Sequence, residues 1–123
     1  MDKKVEYSFY KLEVWKLGMN IVNEIYSITK NFPNDEKFCL VAQIRRSAIS
    51  VPLNIAEGSA KRTKKDFANF VRIATGSLME TMTCIEIAFG QKYINKEIYD
   101  NLHKLIQEEY FKLIALDKFL VRQ

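Results

Sequence analysis

A chain of 123 residues with 48% hydrophobic and 28% charged side chains, four Gly and two Pro is long enough to bury roughly two thirds of its unfolded surface in one core, and its composition excludes disordered, collagen-like and turn-rich all-β proteins. No apolar run approaches the roughly 20 residues that span a bilayer, and the first ten residues hold no signal-peptide core, so a single cytoplasmic domain over 1–123 is expected, with no membrane partner. The formal charge of +4 is concentrated: residues 1–44 and 73–123 are close to balanced, whereas residues 45–72 carry Arg45, Arg46, Lys61, Arg62, Lys64, Lys65 and Arg72 against only Glu57 and Asp66.

From Leu12 the apolar residues Leu12, Trp15, Met19, Val22 and Tyr26 recur at the spacing of one helix face. A second stripe, Val14, Gly18, Ile21, Ile25 and Ile28, runs beside it. A helix packed only within its own chain needs about one such stripe, so the first helix is expected to be covered on two sides, as burial against another subunit would do. Phe32-Pro33 closes it, because the residue before a proline is pushed out of the α region.

Asn34 is the predicted N-cap of a second helix from about Asp35, with two acids in its first turn. Its apolar face reads Phe38, Val41, Ile44, Ala48, Val51 and Ile55. Pro52 removes one amide from the ladder; because the apolar spacing stays in phase across it, a kink is expected there and not a stop. Gly58 and Ser59 mark the turn.

Thr63-Lys64-Lys65-Asp66 resembles a capping box, with Asp in place of Glu, and opens a third helix. Phe67, Phe70, Val71, Ala74, Leu78, Thr81, Ile85 and Ala88 supply its face, and Gly90 lies near its end. Asn95 caps a fourth helix whose apolar positions are Ile98, Leu102, Leu105, Ile106, Leu113, Leu116 and Leu120. Helices of matched length joined by short connections must run antiparallel. The fold class is therefore all-α, an antiparallel up-down-up-down four-helix bundle.

Chemistry has little to work with. His103, the single histidine, falls among Asn101, Lys104 and Gln107 on the polar side of the fourth helix. Cys39 and Cys84 stand alone within apolar patterns and are expected to be buried, reduced thiols. No tight Cys/His spacing suits zinc, no Glu-x-x-His suits a di-iron bundle, and no glycine-rich phosphate loop occurs. Glu108 and Glu109 are adjacent and point about 100° apart on a helix, so they do not converge on a substrate. No catalytic residue, metal or cofactor is expected, and the chain reads as a non-enzyme.

Lys61, Arg62, Lys64 and Lys65 cluster at the turn between the second and third helices, forming a positive knob suited to phosphates or, equally, a solvated loop. An antiparallel third helix would bring Glu80 near Arg45 and Arg46, so at least one of these is as well placed for a structural ion pair as for a nucleic-acid phosphate. Arg72 is open to both roles. Only Phe67 and Phe70 interleave with the basic cluster, and their spacing assigns them to the core; backbone or duplex recognition is the easier fit than stacking on single strands.

The run from Gln43 to Gly58, Gln-Ile-Arg-Arg-Ser-Ala-Ile-Ser-Val-Pro-Leu-Asn-Ile-Ala-Glu-Gly, with Lys61-Arg62-Thr63-Lys64-Lys65-Asp66-Phe67 after it, resembles the four-helix-bundle proteins encoded in intervening sequences of bacterial large-subunit ribosomal RNA genes. Tyr10-Lys11-Leu12-Glu13-Val14-Trp15-Lys16 and the stretch from Arg72 to Glu80 extend the resemblance over nearly the whole chain. Leu53 departs from it, standing where relatives carry a small polar residue. The resemblance implies a homopentamer with a basic surface, which would account for the second stripe of the first helix. It also implies kinship with accessory variability determinants of diversity-generating retroelements, which bind nucleic acid and a reverse transcriptase. The expected function is a non-enzymatic, oligomeric nucleic-acid binder using Arg45, Arg46, Lys61, Arg62, Lys64, Lys65 and Arg72; the alternative is a scaffold that docks a partner protein such as a nucleic-acid-processing enzyme.

Overall fold

The computed structural model describes residues 3–122. Helix α1 runs over Glu13–Thr29 behind a 3₁₀ turn at Ser8–Lys11, whose Phe9 and Tyr10 rings stand 5.1 and 5.5 Å from the Trp15 ring. Aromatic packing thus holds the chain's entry against the helix. Of the two apolar stripes, Val14, Gly18, Ile21 and Ile25 are buried in the core. In the other, Leu12, Trp15 and Val22 are half-buried, while Met19 and Tyr26 are exposed. One chain covers only one of the stripes.

The second helix starts later than its sequence pattern indicates. Asn34–Glu36 forms a 3₁₀ turn with no side-chain cap, Cys39 leaves the helical region at φ −119 and ψ −96, and α2 spans Leu40–Ser59. Glu36 supplies the cap in place of Asn34: its Oε1 accepts the Leu40 N–H at 3.3 Å and its Oε2 accepts the Tyr93 hydroxyl at 2.8 Å. Two expectations fail for this reason. Phe38, expected on the core face, is 87% exposed, and Cys39 is exposed beside it. Cys84 is buried as expected, its thiol pushed up by burial and then by the charge of Glu80.

Helix α2 continues through the buried Pro52. Gly58 and Ser59, expected in a turn, are its last residues, and the connection proper is residues 60–63. The reason for glycine at 58 is proximity and not turn conformation: a Cβ there would lie 2.7 Å from Phe70 Cβ and 2.9 Å from Phe67 Cδ1. Helix α3 spans Lys64–Gly90, and Thr63 Oγ1 accepts the Asp66 N–H at 3.1 Å, the half of the capping box that the sequence predicts. It ends in a Schellman arrangement in which Lys92 takes φ 66, with Tyr93 N–H on the Ala88 carbonyl at 2.9 Å and Lys92 N–H on that of Phe89 at 3.0 Å. Helix α4, Lys96–Val121, is capped by Asn95 Oδ1, which accepts the Ile98 N–H at 2.8 Å.

Residue pairs across the bundle set its topology. Ser47 meets Thr81 (2.8 Å), Ser50 meets Ser77 (2.8 Å), and Gly58 lies against Phe67; Arg72 meets Asp117 and Glu86 meets Tyr99; Thr29 meets Arg45 and Gly18 faces Pro52. Numbers rise on one helix as they fall on its neighbour, so adjacent helices run in opposite directions. Helices α1 and α3 each pack on α2 and α4, and the backbones of the diagonal pairs stay further apart. The result is a four-helix bundle with no strand among the described residues.

On α4 the buried stripe Leu102, Ile106, Leu113 and Leu120 contains one polar member. Glu109 has no exposed surface, and neither carboxyl oxygen has a hydrogen-bond partner. It faces the gap left by Gly18 on α1 and Pro52 on α2: a Cβ at Gly18 would lie 3.1 Å from Glu109 Oε2 and 3.5 Å from Pro52 Cδ. Burial pushes the carboxyl from its ordinary 4.5 up to about 8, with Lys112 lowering it and Glu108 raising it by smaller amounts. A value so raised leaves Glu109 mostly protonated at pH 7.

Because the folded chain holds this proton more tightly than the unfolded chain, the favourable contribution of the protonated carboxyl is complete below pH 4.5. It is lost as pH rises from there through about 8. Over that window the wild type should lose about 1.4 kcal/mol of unfolding free energy per pH unit from this group. In urea titrations across the same range, Glu109→Gln should flatten the slope; identical slopes for the two proteins would show that Glu109 is ionised in the folded state.

Candidate nucleic-acid interface

The turn at residues 60–63 sits between the C-terminus of α2 and the N-terminus of α3, and antiparallel packing brings the last turns of α4 to the same end. Lys61, Arg62, Lys64 and Lys65 are all exposed there. Among the described residues no carboxylate lies within ion-pairing distance of any of them; the three ion pairs are Lys16–Glu13, Arg72–Asp117 and Lys96–Asp100. Lys64 and Lys65 occupy the first turn of α3, where the helix dipole favours acids and disfavours cations. The nearby C-terminus of α2 offsets part of this. Helix stability thus provides little reason for lysines at these positions.

Two of the cations lie over aromatic rings. Lys61 Nζ is 5.0 Å from the centroid of the half-buried Phe70 ring, and Lys64 Nζ is 5.5 Å from that of Phe119. Phe70, expected in the core, is thus a partly covered ring under a lysine. A cleft of about 380 Å³ opens between α3 and α4, lined by Lys64, Lys65, Asn69, Arg72, Leu120 and Val121. Arg72 Nε–H donates to Asp117 at 3.1 and 3.2 Å. The pair is partly exposed, so it contributes little stability, but it orients the guanidinium and leaves its terminal N–H groups available.

The structure separates Arg45 and Arg46 from this end by about 20 Å along α2. Arg45 does not reach Glu80, to which Gln43 Nε2–H donates at 3.5 Å. It turns to α1, where its Nε–H donates to Thr29 Oγ1 at 2.9 Å and its guanidinium lies 4.5 Å from the Tyr26 ring centroid. Arg45 is a structural tie between α1 and α2. Arg46 is exposed and has no carboxylate within ion-pairing distance among the described residues. Of the seven candidate cations, Lys61, Arg62, Lys64, Lys65 and Arg72 therefore come together and Arg45 and Arg46 do not.

Sequence reasoning passed over Phe119, Lys118 and Arg122, which α4 delivers to the basic end. Phe119 falls outside the apolar stripe of α4, and that departure was the available signal. His103 is exposed, as expected, and lines a shallow apolar hollow with Met79, Met82 and Tyr110. No cluster of metal-ligating side chains occurs among the described residues, and none of their helices is long and apolar enough to cross a membrane.

Fold and site together define a small four-helix bundle with a cationic end. The chain belongs to the 23S rRNA-intervening sequence protein family, whose pattern matches residues 10–115. That span includes all seven candidate cations and stops short of Phe119. A crystal structure from Bacteroides thetaiotaomicron VPI-5482, described as a protein with unknown function from the S23 ribosomal protein family, is similar with a TM-score of 0.79 and 28% identity, covering 85% of this chain and 98% of that one. No functionally curated protein matches the chain.

Removal of Arg45 should cost stability where removal of Arg46 does not. Arg45→Ala is expected to lose about 1–2 kcal/mol through its hydrogen bond and cation–π contact, and Arg46→Ala to stay within about 0.5 kcal/mol of the parent. Urea unfolding of both variants decides it, and equal losses would return Arg45 to the list of free cations.

Proposed function

We propose that this protein is a non-enzymatic, homo-oligomeric nucleic-acid binder whose phosphate-contacting element is the turn carrying Lys61, Arg62, Lys64 and Lys65. The observation that carries this reading is the set of four exposed cations that have no carboxylate partner among the described residues, at a helix end that electrostatics alone would leave acidic or neutral. The family's name ties its members to 23S rRNA, which makes RNA the first polymer to test. Arg72 and Arg46 are secondary candidates, and Arg45 contributes through the fold.

Exposed apolar surface supports assembly. Met19, Ile49 and Leu53 share an apolar groove between α1 and α2 with Phe9, Trp15 and Ala56. A second apolar hollow, around Met79, Met82 and Tyr110, lies between α3 and α4. A closed ring with an odd number of subunits needs two different patches on each protomer, one for each neighbour. This pair of patches fits a closed ring, and the family resemblance supplies five as its number of subunits. Sedimentation equilibrium is expected to give a pentamer, and a monomer at micromolar concentration would remove the ring. The scaffold alternative draws on Phe38, which is 87% exposed beside Cys39 and presents a side chain suited to a partner protein.

If four cations each neutralise one phosphate, affinity for labelled RNA should fall about 50- to 150-fold between about 50 and 200 mM salt. Lys64→Glu with Lys65→Glu should abolish binding while leaving the helix intact, since acids in the first turn of α3 are favourable. Fluorescence anisotropy measures both effects. Unchanged affinity in the double variant would remove the turn from the interface, and absence of binding at low salt would favour the scaffold.

A further inference from the structure

Resting on the nucleic-acid reading above, we infer that the basic end is a stacking site for single-stranded nucleic acid, in which one base lies on the Phe119 ring and the flanking phosphates lie on Lys64, Lys65 and Arg72. Phe119 is 64% exposed in the last turn of α4. A phenylalanine so placed forfeits the burial that it ordinarily contributes to folding, so the packing of the chain does not explain it. Lys64 Nζ stands 5.5 Å from its centroid; the ring is thus set beside a cation on a neighbouring helix, the combination that single-strand binders use, with an aromatic face for the base and a positive charge for the backbone.

The cleft beside the ring has the remaining parts. Its floor is apolar, made by the buried Leu120 and the half-exposed Val121, and its rim carries Lys64, Lys65 and Arg72. Asn69, exposed on the same wall, offers one amide donor group and one carbonyl acceptor to a base edge. Asp117 holds the Arg72 guanidinium by its Nε, leaving the outer N–H groups for a phosphate. Lys64 and Arg72 are eight residues apart, about 12 Å along α3, further than successive phosphates on one strand. More than one phosphate can therefore be engaged. Inside a duplex both faces of every base are covered by stacking, so only its two ends could offer one to the ring, whereas a single strand can offer any base. This departs from the duplex preference that the sequence pattern suggests, because Phe119 is 55 residues from Lys64 along the chain and only α3–α4 packing places them together.

The test compares a fluorescein-labelled 12-nucleotide oligouridine with a labelled RNA duplex of equal length, by anisotropy at about 50 mM salt, for the wild-type chain, Phe119→Ala, Phe119→Tyr and the control Phe111→Ala. Tighter binding of the single strand is expected, weakened about 5- to 100-fold by Phe119→Ala, largely retained by Phe119→Tyr and unaffected by Phe111→Ala. The salt slope should be the same in all four, because no cation is removed. A Phe119→Trp variant adds a direct readout: its added tryptophan emission should be quenched by the oligonucleotide beyond any change in the wild type, which has Trp15 alone. If Phe119→Ala binds the single strand as tightly as the wild type while Lys64→Glu with Lys65→Glu does not bind, the stacking site is wrong and the phosphate-binding turn stands. If neither polymer binds at low salt, both readings fall.

Discussion

The close approach of α2 and α3 is the constraint on which the rest of the molecule depends. It is permitted by Gly58, where a methyl group would collide with Phe67 and Phe70, and it is held in register by hydroxyls across the seam, Ser47 with Thr81 and Ser50 with Ser77, while Asn54 Nδ2–H, from the same helix, donates to Ser50 Oγ at 2.9 Å. Small polar side chains serve two purposes here. They let backbones approach, and their hydrogen bonds are satisfied only in one axial alignment, so the seam specifies register as well as contact. A connection as short as residues 60–63 is geometrically allowed only because the two helices already meet at Gly58, and that short connection is what carries Lys61 and Arg62 out into solvent.

A different compromise holds the opposite seam. Glu109 occupies a core position of α4, facing α1 at Gly18 and the ring of Pro52 on α2. An ionised carboxylate without a partner would be prohibitively costly there, so the group retains its proton, and the cost of burial appears as a raised pKa instead of an open core. Gly18 is thus small for a steric reason: its missing methyl leaves the room that the carboxyl fills. The bundle tolerates one such group because its other core positions, among them Ile21, Ile25, Ile44, Ile55, Leu78 and Leu113, are apolar and fully buried.

Electrostatically the molecule is asymmetric by arrangement and not by total charge. A net charge of +4 spread evenly would be unremarked, but antiparallel packing sets the unpaired cations of the α2–α3 turn beside Lys118 and Arg122 of α4, with Arg72 steadied by Asp117. Such a concentration repels itself and contributes nothing to the core. In the function proposed above, its use is to attract phosphates. The exposed ring of Phe119 within it adds a surface that a base can cover.

The number of helices, the caps at Thr63 and Asn95, the buried stripe of α1 and the location of the basic turn could all be read from the chain, because each depends on local spacing or on a side chain bonding to a backbone group three residues away. Asn34 misled because a nearby Glu36 competes for the same helix start and is fixed from outside by Tyr93, 57 residues on; Phe38 and Cys39 were misplaced with it. Glu109 lay in plain sight on the stripe between Ile106 and Leu113, hidden only by the assumption that a carboxylate faces water. Whether Arg45 would bind Glu80 or a phosphate could not be decided from composition, and its actual partner, the Thr29 hydroxyl on α1, is set by helix packing. By itself the sequence determined which residues are helical and where charge accumulates, because those follow from periodicity and local chemistry; only the tertiary structure decided which cations are free, which carboxyl keeps its proton and that Phe119 stands beside Lys64, because each of these depends on what a neighbouring helix places within a few ångströms.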